Sequence, residues 1–298
     1  MKDVLLSTDK HVEPSKFFRV ILGRLNHILA RNHIKHYPQI AIFSFDHIGL
    51  SVNLDGRYER DSLALLQKYF DQNMPEAKEK VALDIGANIG NHSLFISDFF
   101  KEVYAFEPNP ITFELLKFNA NFVSERKNII SINKGLGSKK ETLNFEIEAE
   151  NIGGSHIIAD EEKASGNGQN ISIDVERADE IDKLQNADIA LIKIDIEGYE
   201  IHALKGAEEL IVKNRPIIVF EQAPQEIVNG SSVTIDYLKT LGYEFATVEK
   251  NFYMGEGFLP KLTSLLLRSL FGHQLRLVAT RDFSKRFHDM IYAIPAGD

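Results

Sequence analysis

The chain contains no cysteine. That excludes disulfides, thiolate metal sites, cysteine nucleophiles and cysteine-ligated iron–sulfur clusters. Positive charge is in deficit: 34 Lys and Arg face 43 Asp and Glu, for a formal net charge of −9. A nucleic-acid binder relying on overall positive charge is therefore not expected. No apolar run reaches the roughly 18 residues that suggest a membrane-spanning helix. The opening MKDVLLSTDKH lacks the apolar stretch of a signal peptide. The expectation is a cytoplasmic protein with no transmembrane segment. Internal repeats, long low-complexity tracts, C-x-x-C pairs, P-loops, zinc-binding His pairs and serine nucleophile elbows are also missing. What is present is a 298-residue chain with 44% hydrophobic residues, enough to build a core.

From Val81 to Gln222, short apolar runs alternate with helical segments. Strands are expected at Val81–Ile85, Val103–Glu107, Ile129–Asn133, Ile189–Asp195 and Pro216–Gln222. Most are apolar on both faces, as central strands of a helix-covered parallel sheet must be. Helices are expected near 91–100, 110–123, 200–213 and 231–241. Thr142–Ala149 and Ile171–Val175 flank the polar loop Asp160–Asn170 and read as a hairpin-like excursion near one sheet edge. Residues 1–75 read as a preamble packing on the core. Lys16–Asn32 has apolar residues at helical spacing, Ile40–Asn53 is β-like, and Asp61–Phe70 is helical again. Residues 76–298 read as the core, with a helical insertion near 255–285. Tyr243–Glu249 and His288–Ile294 are expected to finish the sheet as an antiparallel pair.

The segment Leu83–Gly90, LDIGANIG, ends a predicted strand and opens a predicted helix. Its glycines permit a tight turn and the close approach of a ligand. The pattern is G-x-x-x-G rather than the dinucleotide fingerprint G-x-G-x-x-G. The next strand ends in Phe106-Glu107-Pro108, where a carboxylate can accept hydrogen bonds from both ribose hydroxyls of a nucleoside. Asp84 stands just before the turn. Negative charge there suits a cofactor carrying an ammonium and a sulfonium better than a diphosphate, which points to S-adenosylmethionine rather than NAD.

DIGANIGNHSL, AFEPNP and LIKIDIEGYE, in that order, resemble the FkbM-type family of S-adenosylmethionine-dependent methyltransferases. The lead-in Asp55-Gly56-Arg57-Tyr58-Glu59 is similar to a short element preceding the core in that family, and the resemblance covers roughly residues 50–250. It implies the α/β class I methyltransferase (Rossmann-like) fold: a seven-stranded sheet with helices on both faces and a late antiparallel strand. It also implies methylation of hydroxyl oxygens on sugars, glycans or polyketide-type products. By this resemblance, Asp84, Gly86, Ala87, Asn88 and Gly90 surround the methionine portion of the cofactor. Asn91 and His92 follow at the helix start. Glu107, with Pro108, holds the ribose. Asn133 and Leu136 occupy the third-strand position that meets adenine, and Glu59 closes over the cofactor from the preamble.

Asp195 ends the fourth core strand, where doubly wound sheets bind their ligands, and is placed beside the cofactor's transferred methyl. Glu221, at the end of the next strand, is the second acidic candidate, and Glu200 is read as complementing a helix dipole. Methyl transfer requires alignment and deprotonation of the acceptor. Asp195, Glu221 and His156 are the candidate bases, and His156 equally fits a solvent-facing loop residue. A divalent metal held by Asp195 and Glu221 is a less favoured alternative. Leu262–Phe271, with Lys261, Arg268, Arg276 and Arg281, reads as a lid or dimer helix in preference to a membrane-surface helix. The expected activity is O-methyl transfer to a carbohydrate hydroxyl. An amine or peptide acceptor, or cofactor binding without catalysis, is the alternative. The expected partner is a small-molecule or glycan acceptor, and a homodimer is left open.

Overall fold

The computed structural model describes residues 15–147, 156–157, 169–255 and 257–297. Three helices lead in: α1 (Ser15–His33), α2 (His47–Asp55) and α3 (Arg60–Asn73). The β-like stretch expected at Ile40–Asn53 is not a strand. The Asp46 carboxylate accepts the Gly49 backbone N–H at 2.6 Å and starts α2 there, and Gly56 ends that helix in the left-handed region at φ 82°. Asn119 anchors the segment before α2. Its side-chain amide takes the Ala41 N–H at 2.8 Å and donates to the Ala41 carbonyl at 3.0 Å.

Strands β1 (Val81–Ile85), β2 (Glu102–Phe106) and β3 (Ile129–Ile132) run parallel, with α4 (Asn91–Ile96) and α5 (Pro110–Phe118) as crossovers. The chain then leaves the main sheet. Strands β4 (Gly135–Leu136), β5 (Glu141–Ile147), β6 (His156–Ile157) and β7 (Gln169–Glu176) form a second sheet in the order β4-β7-β5-β6, rather than an excursion at the edge of the first. Phe145, Ile147, Ile173 and Val175 give it a core of its own. After α6 (Asp182–Gln185), β8 (Ile189–Ile194) rejoins the main sheet beside β1. Helices α7 (Glu200–Gly206) and α8 (Glu208–Asn214) lead to β9 (Ile217–Gln222), and α9 (Val233–Thr240) to β10 (Tyr243–Lys250).

Tyr243–Lys250 and His288–Pro295 pair antiparallel as expected, and a further strand lies between them in the chain. After α10 (Phe258–Phe271) comes an extra strand, β11 (Leu275–Thr280), followed by β12 (His288–Pro295). The main sheet therefore has eight strands rather than seven, in the order β11-β10-β12-β9-β8-β1-β2-β3. The parallel core with a late antiparallel β12 is the class I methyltransferase arrangement. β11 is added antiparallel on the outer side of β10. It lies inside the stretch read as a helical insertion.

β1 and β8 are buried along their whole length, because helices cover both faces. One core contains Leu83, Ile85, Ile192 and Leu204. The other contains Ala82, Leu191 and Tyr292, and α3 contributes Leu63, Leu66 and Phe70 to it. Among the described residues no helix is long and apolar enough to cross a membrane.

Candidate active site

The site lies at the carboxyl ends of β1, β2, β8 and β9, where strand ends leave backbone groups free for ligands. Gly86 turns the chain out of β1 at φ 80°, and a Cβ there would sit 1.8 Å from the Asp195 carbonyl oxygen. Only glycine allows the two loops to meet so closely. Asn88 (φ 51°) and Gly90 (φ 87°) are also left-handed. This bends the loop so that the Asn88 N–H donates to Glu107 Oε2 at 2.9 Å, while the Asn109 N–H donates to Oε1 at 2.8 Å. Burial pushes the Glu107 carboxyl up to about 7, against the opposing effect of those two N–H donors and the Lys193 charge.

Glu107 lines a cleft of about 660 Å³, including its opening to solvent. Gly86, Asn88, Pro108, Leu136 and Asp195 line it as well, and Phe145 and Ile157 of the second sheet close one side. A second chamber of about 590 Å³ adjoins it, lined by Ala87, Asn91, His92, Lys193 and Glu221 among others. Gly86, Asn88, Asp195 and Glu197 border both.

Several expected contacts lie elsewhere. Asp84 is fully buried and lines neither chamber. It accepts the Ser93 hydroxyl proton at 2.5 Å and lies 3.4 Å from Lys193 Nζ. Gly90 is the residue that begins α4. Asn133 also lines neither chamber, because its amide donates to the carbonyls of Glu107 and Pro108 at 2.8 and 3.1 Å, holding the β2 loop. Asn91 faces the second chamber, but its side chain donates to the Tyr58 carbonyl at 3.0 Å and accepts the Tyr58 N–H at 3.3 Å. Glu59 meets His92 at 3.2 Å. Glu200 is buried, with its carboxyl pushed up to about 7 by burial, and it accepts the Gly198 N–H at 3.0 Å. The backbone of His156 pairs with Glu146 in β6. Its side chain, like residues 153–155 before it, lies outside the described residues.

Lys193 was not singled out by the sequence reading, yet it organises the second chamber. It is 4% exposed and stands 3.1 Å from Asp195 Oδ2 and 3.4 Å from Asp84. Burial works against its charge, but the carboxylates of Asp195, Asp84 and Glu221 outweigh that and hold the ammonium above the usual lysine range. The available signal was a lysine inside a strand otherwise apolar on both faces, two residues before an aspartate. Glu221 behaves oppositely. Burial, then repulsion from Asp195 and Glu59, push its carboxyl well above the usual carboxylate range, which favours the protonated form. Tyr58, more readily explained by packing, borders the same chamber. Among the described residues no group of three or more His, Asp or Glu side chains is placed to hold a metal ion.

Residues 84–245 match the methyltransferase FkbM domain. The hexuronic acid methyltransferase AglP of Haloferax volcanii is 30% identical over 169 residues, covering 55% of this chain and 63% of that protein. Methyltransferase sdnD of Sordaria araneosa is 25% identical over 156 residues, covering 43% of this chain and 60% of that one. The matches thus span about three-fifths of the length of these curated relatives. Among solved structures, the methyltransferase FkbM of Methylobacillus flagellatus KT aligns with a TM-score of 0.39 at 16% identity, covering 94% of this chain and 60% of that one. Magnesium protoporphyrin IX methyltransferase of Synechocystis PCC 6803 aligns with a TM-score of 0.43 at 11% identity, covering 97% and 100%. With the matched domain running from β1 into β10, over more than half of its residues, the chain belongs to the FkbM methyltransferase family.

Proposed function

We propose that this chain uses S-adenosylmethionine to methylate a hydroxyl oxygen of a sugar. The observation that carries the reading is the position of Asp195 on the border between a cleft containing Glu107 and a polar chamber containing Lys193 and Glu221. The residues present fit the cofactor. Glu107 offers a buried carboxylate for ribose hydroxyls, Gly86 and Asn88 line the same cleft, and Asp195 and Glu197 supply negative charge beside a cationic ligand. When bound, that cofactor would supply an activated methyl group for transfer to an acceptor oxygen. The chain's own residues align the acceptor and accept its proton. Asp195, 3.1 Å from Lys193 Nζ, is the base and takes the acceptor proton on its carboxylate. Glu221, whose carboxyl is pushed up by burial, donates a hydrogen bond that orients the acceptor. A sugar acceptor is supported by the name of the Haloferax volcanii relative.

The test is calorimetric titration with S-adenosylmethionine and S-adenosylhomocysteine, with NAD as control, followed by mass spectrometry of hexuronic-acid acceptors. Asp195→Asn should lower turnover by at least about a hundredfold while leaving cofactor affinity within a few-fold. Glu221→Gln should keep most of the activity, since the amide keeps a hydrogen-bond donor at that position. A larger loss in Glu221→Gln than in Asp195→Asn would transfer the base role to Glu221. Binding of NAD in place of the other two ligands would overturn the cofactor reading.

A further inference from the structure

α10 is amphipathic in the reverse sense. Two of its polar residues face the protein, while Lys261, Thr263 and Ser269 are exposed: Ser264 is buried and accepts the Met254 N–H at 3.1 Å, and Arg268 Nε donates to the Asn251 carbonyl at 3.0 Å. Its apolar residues face outward, and Phe258, Leu259, Leu270 and Phe271 are each at least 70% exposed. A helix on a water-facing surface shows the opposite arrangement. α1 is a 19-residue helix with no buried residue, although Phe17, Phe18, Leu22 and Ile28 lie along it. Apolar surface on this scale marks a binding face.

Charge indicates what covers it. Residues 15–45 and 257–281 carry nine of the chain's 34 Lys and Arg and none of its 43 Asp and Glu. The rest of the chain sets 25 Lys and Arg against all 43 Asp and Glu and is strongly negative, whereas the two segments that expose apolar helices carry basic residues with no acidic ones. A second copy docking through a two-fold interface would bring the same patch against itself, setting basic residues against basic residues. An anionic lipid surface satisfies both features at once: apolar side chains enter the acyl boundary while Lys and Arg meet the headgroups.

Both helices are tied to one stretch of chain. His33, at the end of α1, bonds the Leu54 carbonyl at 2.9 Å, and His273, just after α10, bonds Asp61 at 2.8 Å. Between these anchors lies Tyr58, which borders the acceptor chamber. We propose that α1 and α10 together form a docking surface for an anionic membrane, bringing the mouth of the acceptor chamber to the lipid interface. The docking stands independently of the methyl-transfer reading, and cofactor titration of the same preparation distinguishes the failure of one from the failure of the other.

The test sediments the full chain with vesicles of phosphatidylcholine alone and of phosphatidylcholine mixed with phosphatidylglycerol. Retention is expected on the anionic vesicles only, falling as salt is raised. Arg24→Gln and Arg31→Gln should each weaken binding about five-fold. Leu266→Glu should weaken it at least tenfold by placing a charge on the inserting face. Circular dichroism and cofactor affinity should match the parent in all three variants. Equal retention on neutral vesicles overturns the charge argument. Absence of retention on both vesicle types overturns the proposal. If sedimentation velocity then shows a dimer that Leu266→Glu dissociates, the faces belong to a second copy.

Discussion

Lys193→Met removes the cation between the buried Asp84 carboxylate and the half-buried Asp195 carboxylate while keeping the length and apolar stem of the side chain. With separations of 3.1 Å to Asp195 and 3.4 Å to Asp84, each attraction is about 5 kcal/mol at an effective dielectric of about 20. Much of that offsets the cost of removing three charges from water, so the sum of the two pairs overstates the loss. Removing one partner of a buried pair typically costs about 3–5 kcal/mol, and the fully buried Asp84 places this variant inside that range. Urea unfolding followed by far-UV circular dichroism should show a lower midpoint with an unchanged slope. Asp84→Asn combined with Lys193→Met should recover at least about 1 kcal/mol relative to additivity, because it removes the carboxylate left without a partner. The reasoning is refuted if the single variant unfolds within about 1 kcal/mol of the parent, or if the double variant is additive.

Two further predictions concern pH. Ribose hydroxyls bond best to an ionised Glu107, whose carboxyl is pushed up to about 7, so cofactor affinity should be flat above that pH and fall about tenfold per unit below it. Calorimetry across this range checks it, and a flat profile would remove Glu107 from the ribose contact. Glu200 is likewise raised to about 7 when folded, so the unfolded chain holds fewer protons between the ordinary carboxylate range and that value. Its contribution to stability is therefore fully present at acid pH and is lost as pH rises through that window. Glu200→Gln should unfold like the parent at acid pH and be more stable than it above about pH 7, by about 1–3 kcal/mol. Parallel urea midpoints at all pH values would contradict this.

The central strands were legible because β1 and β8 are apolar on both faces, a pattern that fits a covered parallel sheet. The loop between Asp84 and Gly90 was legible because its glycines sit where the backbone must turn left-handed. β11 escaped notice because its residues are only half-buried or exposed, and Arg276 and Thr280 interrupt a short run beside the apolar α10. Ile40–Asn53 resembled a strand in composition, but the Asp46 cap starts a helix inside it at His47. Asn133 was placed correctly at the end of the third strand, and only side-chain geometry shows its amide turned to the Glu107 and Pro108 carbonyls. The importance of Lys193 depends on register. It pairs directly with Asp84 across β1 and β8, residues more than a hundred positions apart, and no local pattern reveals such a pairing.

The two asparagines that hold the lead-in segment carry a further consequence. Asn119 grips the N–H and carbonyl of Ala41, and Asn91 does the same for Tyr58. Each side-chain amide imitates a neighbouring peptide group, so both attachments recognise main chain alone. The side chains of Ala41 and Tyr58 take no part in either attachment. The lead-in is thus pinned to the core at two peptide groups, so substitutions at those two positions leave both attachments in place.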